Sequence, residues 1–158
     1  KKAFSHVTIE KGKKLQEADV ARHFLDRDVV VNMPIAKDHG STKLTIAMKN
    51  WMGAVKDRGY WHSNDLHQCI GDFGTLLQPR WTIVDATRIM LTRGPQGPSR
   101  KMKQPNKLIV SRNQAAADAV STRLFGMEPQ DLPFLKHAEE FGLGPINPDN
   151  IGVQEVSV

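Results

Sequence analysis

The sequence predicts an α/β fold with a mixed, mostly parallel sheet and helices on both faces. Three observations carry this reading. Short β-branched apolar runs recur along the chain, helically periodic stretches separate them, and 158 residues suit about one domain. Residues 1–158 are therefore expected to form a single α/β domain. The chain is 39% hydrophobic with 12 glycines, an ordinary globular balance that excludes a disordered or collagen-like chain.

Phe4 to Ile9 alternates, with Phe4, His6 and Thr8 on one side and Val7 and Ile9 on the other, so a half-buried strand is predicted. Glu10 to Lys13 turns the chain. Ala18, Ala21, Phe24 and Leu25 recur at helical spacing and predict a short amphipathic helix. The run from Asp28 through Val29, Val30 and Val31 to Pro34 reads as a strand buried on both faces, ended by a proline that has no amide hydrogen for the ladder. Ser41 is placed to cap a helix whose apolar stripe is Leu44, Ala47, Met48, Trp51, Met52 and Val55. A second helix is expected from Asn64 to Leu77, stopped by Pro79. Trp81 to Ala86 reads as another buried strand, and Lys107 to Ser111 as a third. Between them, Arg93 to Asn106 is a loop rich in proline and glycine, long enough to suggest a function. Asn113 is placed to cap an alanine-rich helix that Gly126 closes. Gln130 to Phe141 predicts a last helix ending at Gly142, and the alternation from Ile151 to Val158 predicts a terminal strand.

Charge and composition narrow the function classes. Twenty-two basic residues against 17 acids give a net charge of +5, which attracts phosphates, acidic proteins or anionic lipid. The few aromatic residues form no stripe with the basic ones, so nucleic acid is not the expected partner. No apolar run approaches the ~18 residues of a membrane-spanning helix. Cys69 is the single cysteine, so the chain cannot form an internal disulfide or ligate an iron–sulfur cluster alone. The first residue is lysine and Lys1 to His6 carry no apolar signal core, so an upstream part of the polypeptide is expected.

Candidate chemistry gathers after the strand that ends at Pro34. In α/β sheets, ligands bind where strand ends and helix amino-termini converge. Lys37 and His39 are two residues apart and project to one side of an extended segment. The lysine offers positive charge, and the histidine offers proton transfer near neutrality or metal ligation. On the following helix, Lys49, Gly53 and Lys56 fall away from the apolar stripe, with Asn50 beside Lys49. Gly53 leaves a smooth place for a ligand or backbone to approach. Arg93, Arg100, Lys101 and Lys103 make the long loop basic, suited to gripping phosphate or carboxylate. Asp85 and Asp118 are the acidic candidates; a structural hydrogen bond is the ordinary role for each, metal ligation or proton transfer the other. His62 and His67 are five apart, which does not match a helical zinc pair, and no phosphate loop or nucleophile elbow is present.

These pieces in order resemble the domain of unknown function 362 family. The resemblance rests on Asp28 to Pro34, Lys37 to His39, Lys49 to Gly53, Ile83 to Asp85, Gly94 to Gly97, the helix carrying Asp118, and Gly142 to Gly144. It covers nearly all of the chain and is to the C-terminal half of the family domain, whose earlier strand and lysine-asparagine motif have no counterpart here. Where the family tends to have Asp-Pro at the start of the late helix, this chain has Asn113-Gln114. The resemblance implies an α/β fold. It also implies relatives with ferredoxin-like cysteine clusters or twin-arginine export signals, which supports an expectation of an exported or periplasmic protein.

The resulting expectation is a cleft that binds a small anionic ligand. His39, Lys37 and Asp85 are the candidates for acid–base or metal chemistry, and Lys49, Asn50 and Arg100 are the ligand-binding candidates. The alternative is a non-catalytic module that docks an acidic redox protein or larger assembly through the basic loop.

Overall fold

The computed structural model describes residues 3–94, 96–98 and 101–157. The first two strands, β1 (Phe4–Thr8) and β2 (Glu17–Ala21), form an antiparallel ribbon with Phe4 opposite Ala21. The helical spacing from Ala18 predicted a helix here, but only Arg22–Leu25 is helical (α1). Pairing with β1 overrides the local periodicity, because Ala18 and Val20 face Val7 and Ser5 across the ribbon.

The main sheet is mixed. Its centre is parallel, with β3 (Val31–Asn32) and β4 (Ile35–His39) running beside β6 (Trp81–Met90). Its flanks are antiparallel: β5 (Lys43–Thr45) returns along β4, while β7 (Met102–Lys103) and β8 (Lys107–Ser111) line the other edge of β6. The pairing between β4 and β6 is interrupted between Ile35 and Lys37, which lets the strand end re-aim its side chains.

The Leu44-to-Val55 stripe resolves into three pieces rather than one helix. β5 takes its start, a short α2 (Ala47–Asn50) follows, and Trp51–Ala54 tightens into a 3₁₀ turn. Ser41 caps none of them; it lies in the turn between β4 and β5. Further on, α3 (Arg58–Ser63) and α4 (Leu66–Leu76) are capped by the side chains of Asp57 and Asp65. Asn113 caps α5 (Gln114–Thr122) by accepting from the Ala116 amide, as its position predicted. A 3₁₀ turn then ends at Gly126 with φ +71°, and α6 (Pro133–Glu140) is followed by Gly142 at φ +68°. Asn113 has a second task. Its Nδ2 donates to the Leu143 carbonyl at 2.7 Å, and a Cβ on Gly144 would stand 2.0 Å from that nitrogen, so glycine is required there. The predicted terminal strand does not form: residues 151–157 make no ladder, and Val158 lies outside the described residues.

The core lies between the sheet and its helices. Thr82, Val84, Ala86 and Ile89 of β6 are buried, α5 packs across β6 and β8, and α4 packs on α6 around Ile70, Phe73, Phe134 and Leu135. The opposite side of the sheet differs from the doubly buried strand that the sequence suggested. Val31, Met33 and Ile35 alternate outward and are exposed, as are Trp81, Leu108 and Val110 across the register. Arg112 lies over the Trp81 ring at 4.9 Å. Among the described residues no helix is long and apolar enough to cross a membrane.

Candidate functional site

The strand–turn–strand of β4 and β5 sets the site. Extended geometry puts Lys37 and His39 on one side of β4, Lys37 half-buried and His39 nearly enclosed. β5 then reverses the chain, with His39 opposite Lys43, and delivers it into α2. That reversal brings Lys49 back onto His39: Nζ lies 3.1 Å from Nε2, and both residues are buried. The other ring nitrogen, Nδ1, accepts the backbone N–H of Ser41 at 3.1 Å.

Electrostatics explain what this packing does to the two groups. Burial, then the charge of Lys49, then His62 and Lys37 push the His39 imidazole down to about 4, against the pull of Asp38. Burial, then Lys37, pushes Lys49 down to about 8. Among the described residues no carboxylate forms an ion pair with Lys37, His39 or Lys49. A basic cluster with no carboxylate ion-paired to it attracts an anion.

Asn50 stands next to Lys49 but is engaged, donating from Nδ2 to Asn32 Oδ1 at 2.8 Å. Asn32, itself buried, donates to the Ala47 carbonyl. Open space surrounds Gly53, in keeping with the smooth place that the sequence suggested. Asp85 is not brought to this cluster. Its carboxylate accepts the amide and hydroxyl of Thr87, whose hydroxyl and then amide hold it below the usual carboxylate range. Arg100 lies outside the described residues. Of the rest of the basic loop, Lys103 donates to the Leu124 carbonyl. Gly94 anchors the loop to β4: its amide donates to Asp38 Oδ2 at 3.0 Å, and a Cβ there would lie 1.8 Å from the Asp38 carbonyl oxygen.

Asp118 explains how α2 is held. It is fully buried in α5, and its two oxygens accept the amides of Ala47 and Met48 at 2.7 and 3.0 Å. Those are the first amides of the helix that carries Lys49, so Asp118 does the capping work expected of Ser41. Burial pushes its carboxyl up to about 7 against those two hydrogen bonds. The sequence flagged Asp118 because propensity gives no reason for it, but its partners are some 70 residues away. Asp72 was missed. It is buried in α4 and accepts the Lys14 and Leu15 amides and Gln68 Nε2, tying the segment before β2 to the core. Among the described residues, no group of three or more His, Cys, Asp or Glu side chains is arranged to hold a metal.

Comparison with known proteins finds a similar sequence in a thylakoid-associated protein of Synechocystis, 27% identical over 135 residues. The match takes in 80% of this chain and 41% of that protein, so the chain spans about two fifths of its relative's length. No solved structure matches the chain. The family model described as "domain of unknown function" (DUF362) matches residues 2–123, which include both strands and the helix of the site, and the chain belongs to that family.

Proposed function

We propose that this domain binds a small anionic ligand at the cluster formed by Lys37, His39 and Lys49, and exchanges a proton with it. One observation carries the reading: Lys49 and His39 are buried against each other at 3.1 Å beside Lys37, with no ion-paired carboxylate among the described residues to balance them. Lys37 supplies positive charge, and Lys49 supplies a charge it can take up or release near neutrality. His39, held neutral with Nδ1 occupied by the Ser41 amide, offers the ligand its Nε2 hydrogen. Asn50 orients the ligand once released from Asn32, and Arg100 adds charge from the loop. Asp85, bonded to Thr87, is given no role.

Titration with inorganic phosphate and simple carboxylates, followed by calorimetry, tests this. Each charge-assisted hydrogen bond contributes about 1.5–3 kcal/mol, so a Lys37→Ala, His39→Ala double variant binds at least about tenfold more weakly. Equal affinity in the parent and the double variant refutes the site. Docking of an acidic protein by the exposed loop is distinguished by ionic strength, since loop docking weakens steeply with salt and a half-buried site does so less.

A further inference from the structure

The hydrogen-bond directions around His39 fix more than a contact. A backbone N–H can only donate, so His39 Nδ1, which receives the Ser41 amide, carries no proton. A neutral imidazole then carries its proton on Nε2, the nitrogen that faces Lys49 Nζ at 3.1 Å. An ammonium at Lys49 would present hydrogen against hydrogen. The bond forms when the lysine nitrogen offers a lone pair, which makes it an amine.

From this geometry we infer that Lys49 is a nucleophilic amine whose substrates are small oxo acids, carbonyl compounds that also carry a carboxylate or phosphate. This rests on the anion-binding reading above, because the substrate's acid group is held by Lys37. The surroundings favour the amine. The charged groups that act on the pair are Lys37 and Asp38 on β4 and His62 at the end of α3; all but Asp38 are basic or neutral. Burial together with a neighbouring cation is the combination that activates lysines toward carbonyls. The lowered proton affinity of Lys49 has those two causes in that order.

The step balances without any further reagent. The Lys49 nitrogen lone pair attacks the carbonyl carbon, and the carbonyl π pair moves to oxygen. That oxygen takes up a proton as the new ammonium loses one, giving a neutral carbinolamine. The C–O bond then breaks with one proton taken from solvent, water leaves, and a protonated imine remains on Lys49. His39 Nε2–H keeps the amine in place before attack and is free to donate to the carbonyl oxygen as it becomes negative.

The test treats the protein with glyoxylate, or with acetaldehyde as an uncharged control, in the presence of cyanoborohydride, and maps the reduced adducts by peptide mass spectrometry. Lys49 is one of 13 lysines. It should be labelled first, with a rate that rises to a plateau around pH 8, whereas ordinary lysines keep gaining rate toward pH 10. Lys37→Ala should slow glyoxylate about tenfold more than it slows acetaldehyde, because acetaldehyde loses only the activation of Lys49 while glyoxylate also loses the cation that holds its carboxylate. Inorganic phosphate should compete with glyoxylate alone. Labelling spread over the surface lysines, with Lys49 no faster, overturns the inference. Phosphate binding that depends on Lys37 together with an unlabelled Lys49 overturns the amine and leaves the anion site intact. Labelling at Lys49 that ignores both phosphate and Lys37→Ala overturns the oxo-acid class and the anion reading together. Lys49→Arg should abolish the fast label, since a guanidinium forms no imine; should that variant fail to fold, the pH profile of the parent protein decides.

Discussion

Replacing Asp118 with asparagine keeps the shape of the side chain and changes what it can accept. One oxygen remains to receive the Ala47 amide, but an NH₂ group meets the Met48 amide at a site where an oxygen now lies 3.0 Å away. A buried donor left without a partner costs about 1–3 kcal/mol. The parent carries its own cost, and that one depends on pH. Its carboxyl titrates near 7 in the fold against 3.8 ordinarily, so the folded state favours the neutral form. That contribution is complete below the ordinary carboxylate value and is lost as pH rises through about 7. Between pH 5 and pH 8 the loss is roughly 3 kcal/mol, or about 6–12 °C of melting temperature for a domain of this size. Circular dichroism melts of both proteins at the two pH values read the difference directly. Asp118→Asn should melt well below the parent at pH 5 and close to it, or above it, at pH 8. Comparing the pair at each pH cancels the titrations they share, including those of His39 and Lys49. Curves displaced by the same amount at both pH values would refute the reasoning, because the carboxyl would then not be titrating within that range.

Other substitutions test the neighbouring contacts. Gly94→Ala places a methyl 1.8 Å from the Asp38 carbonyl oxygen and should lower the urea midpoint by the equivalent of about 1–3 kcal/mol with an unchanged slope; an unmoved midpoint means the loop is not seated on β4. Asn32→Ala removes both the donor to the Ala47 carbonyl and the acceptor for Asn50, and should cost about 1–3 kcal/mol by thermal melting. Cys69 is buried, and burial followed by Asp72 and Asp65 pushes its thiol up to about 11, so iodoacetamide should modify it only as fast as the chain opens. Rapid labelling without denaturant would contradict its place in the core.

Local signals were legible where the cause is local. Asn113, Gly126 and Gly142 mark helix ends through their own backbone and side-chain chemistry, and all three lie where the sequence put them. The common side of Lys37 and His39 follows from strand geometry alone. Lys49 was visible as a polar residue beside the apolar stripe of its segment, but its contact with His39 depends on the reversal through β5, which helical periodicity concealed. Leu44 fits a helix and a strand equally well, and β4 decided between them. The cap on α2 could not be read from its own neighbourhood, since Asp118 reaches it from another helix. The exposure of Val31, Met33 and Ile35 was also hidden: an unbroken apolar run reports a preference for burial, whereas among the described residues these three side chains are left exposed.

Asn113 joins two events that are separate in most helices. Its oxygen begins α5 and its amide nitrogen holds the chain just after α6, with Gly144 leaving the room for both. The first turn of α5 therefore cannot fray while the segment at Leu143 stays seated, and that segment cannot peel away without loosening the turn. Hydrogen exchange at the Ala116 amide should accordingly report detachment of the segment at Leu143, one rivet serving two plates.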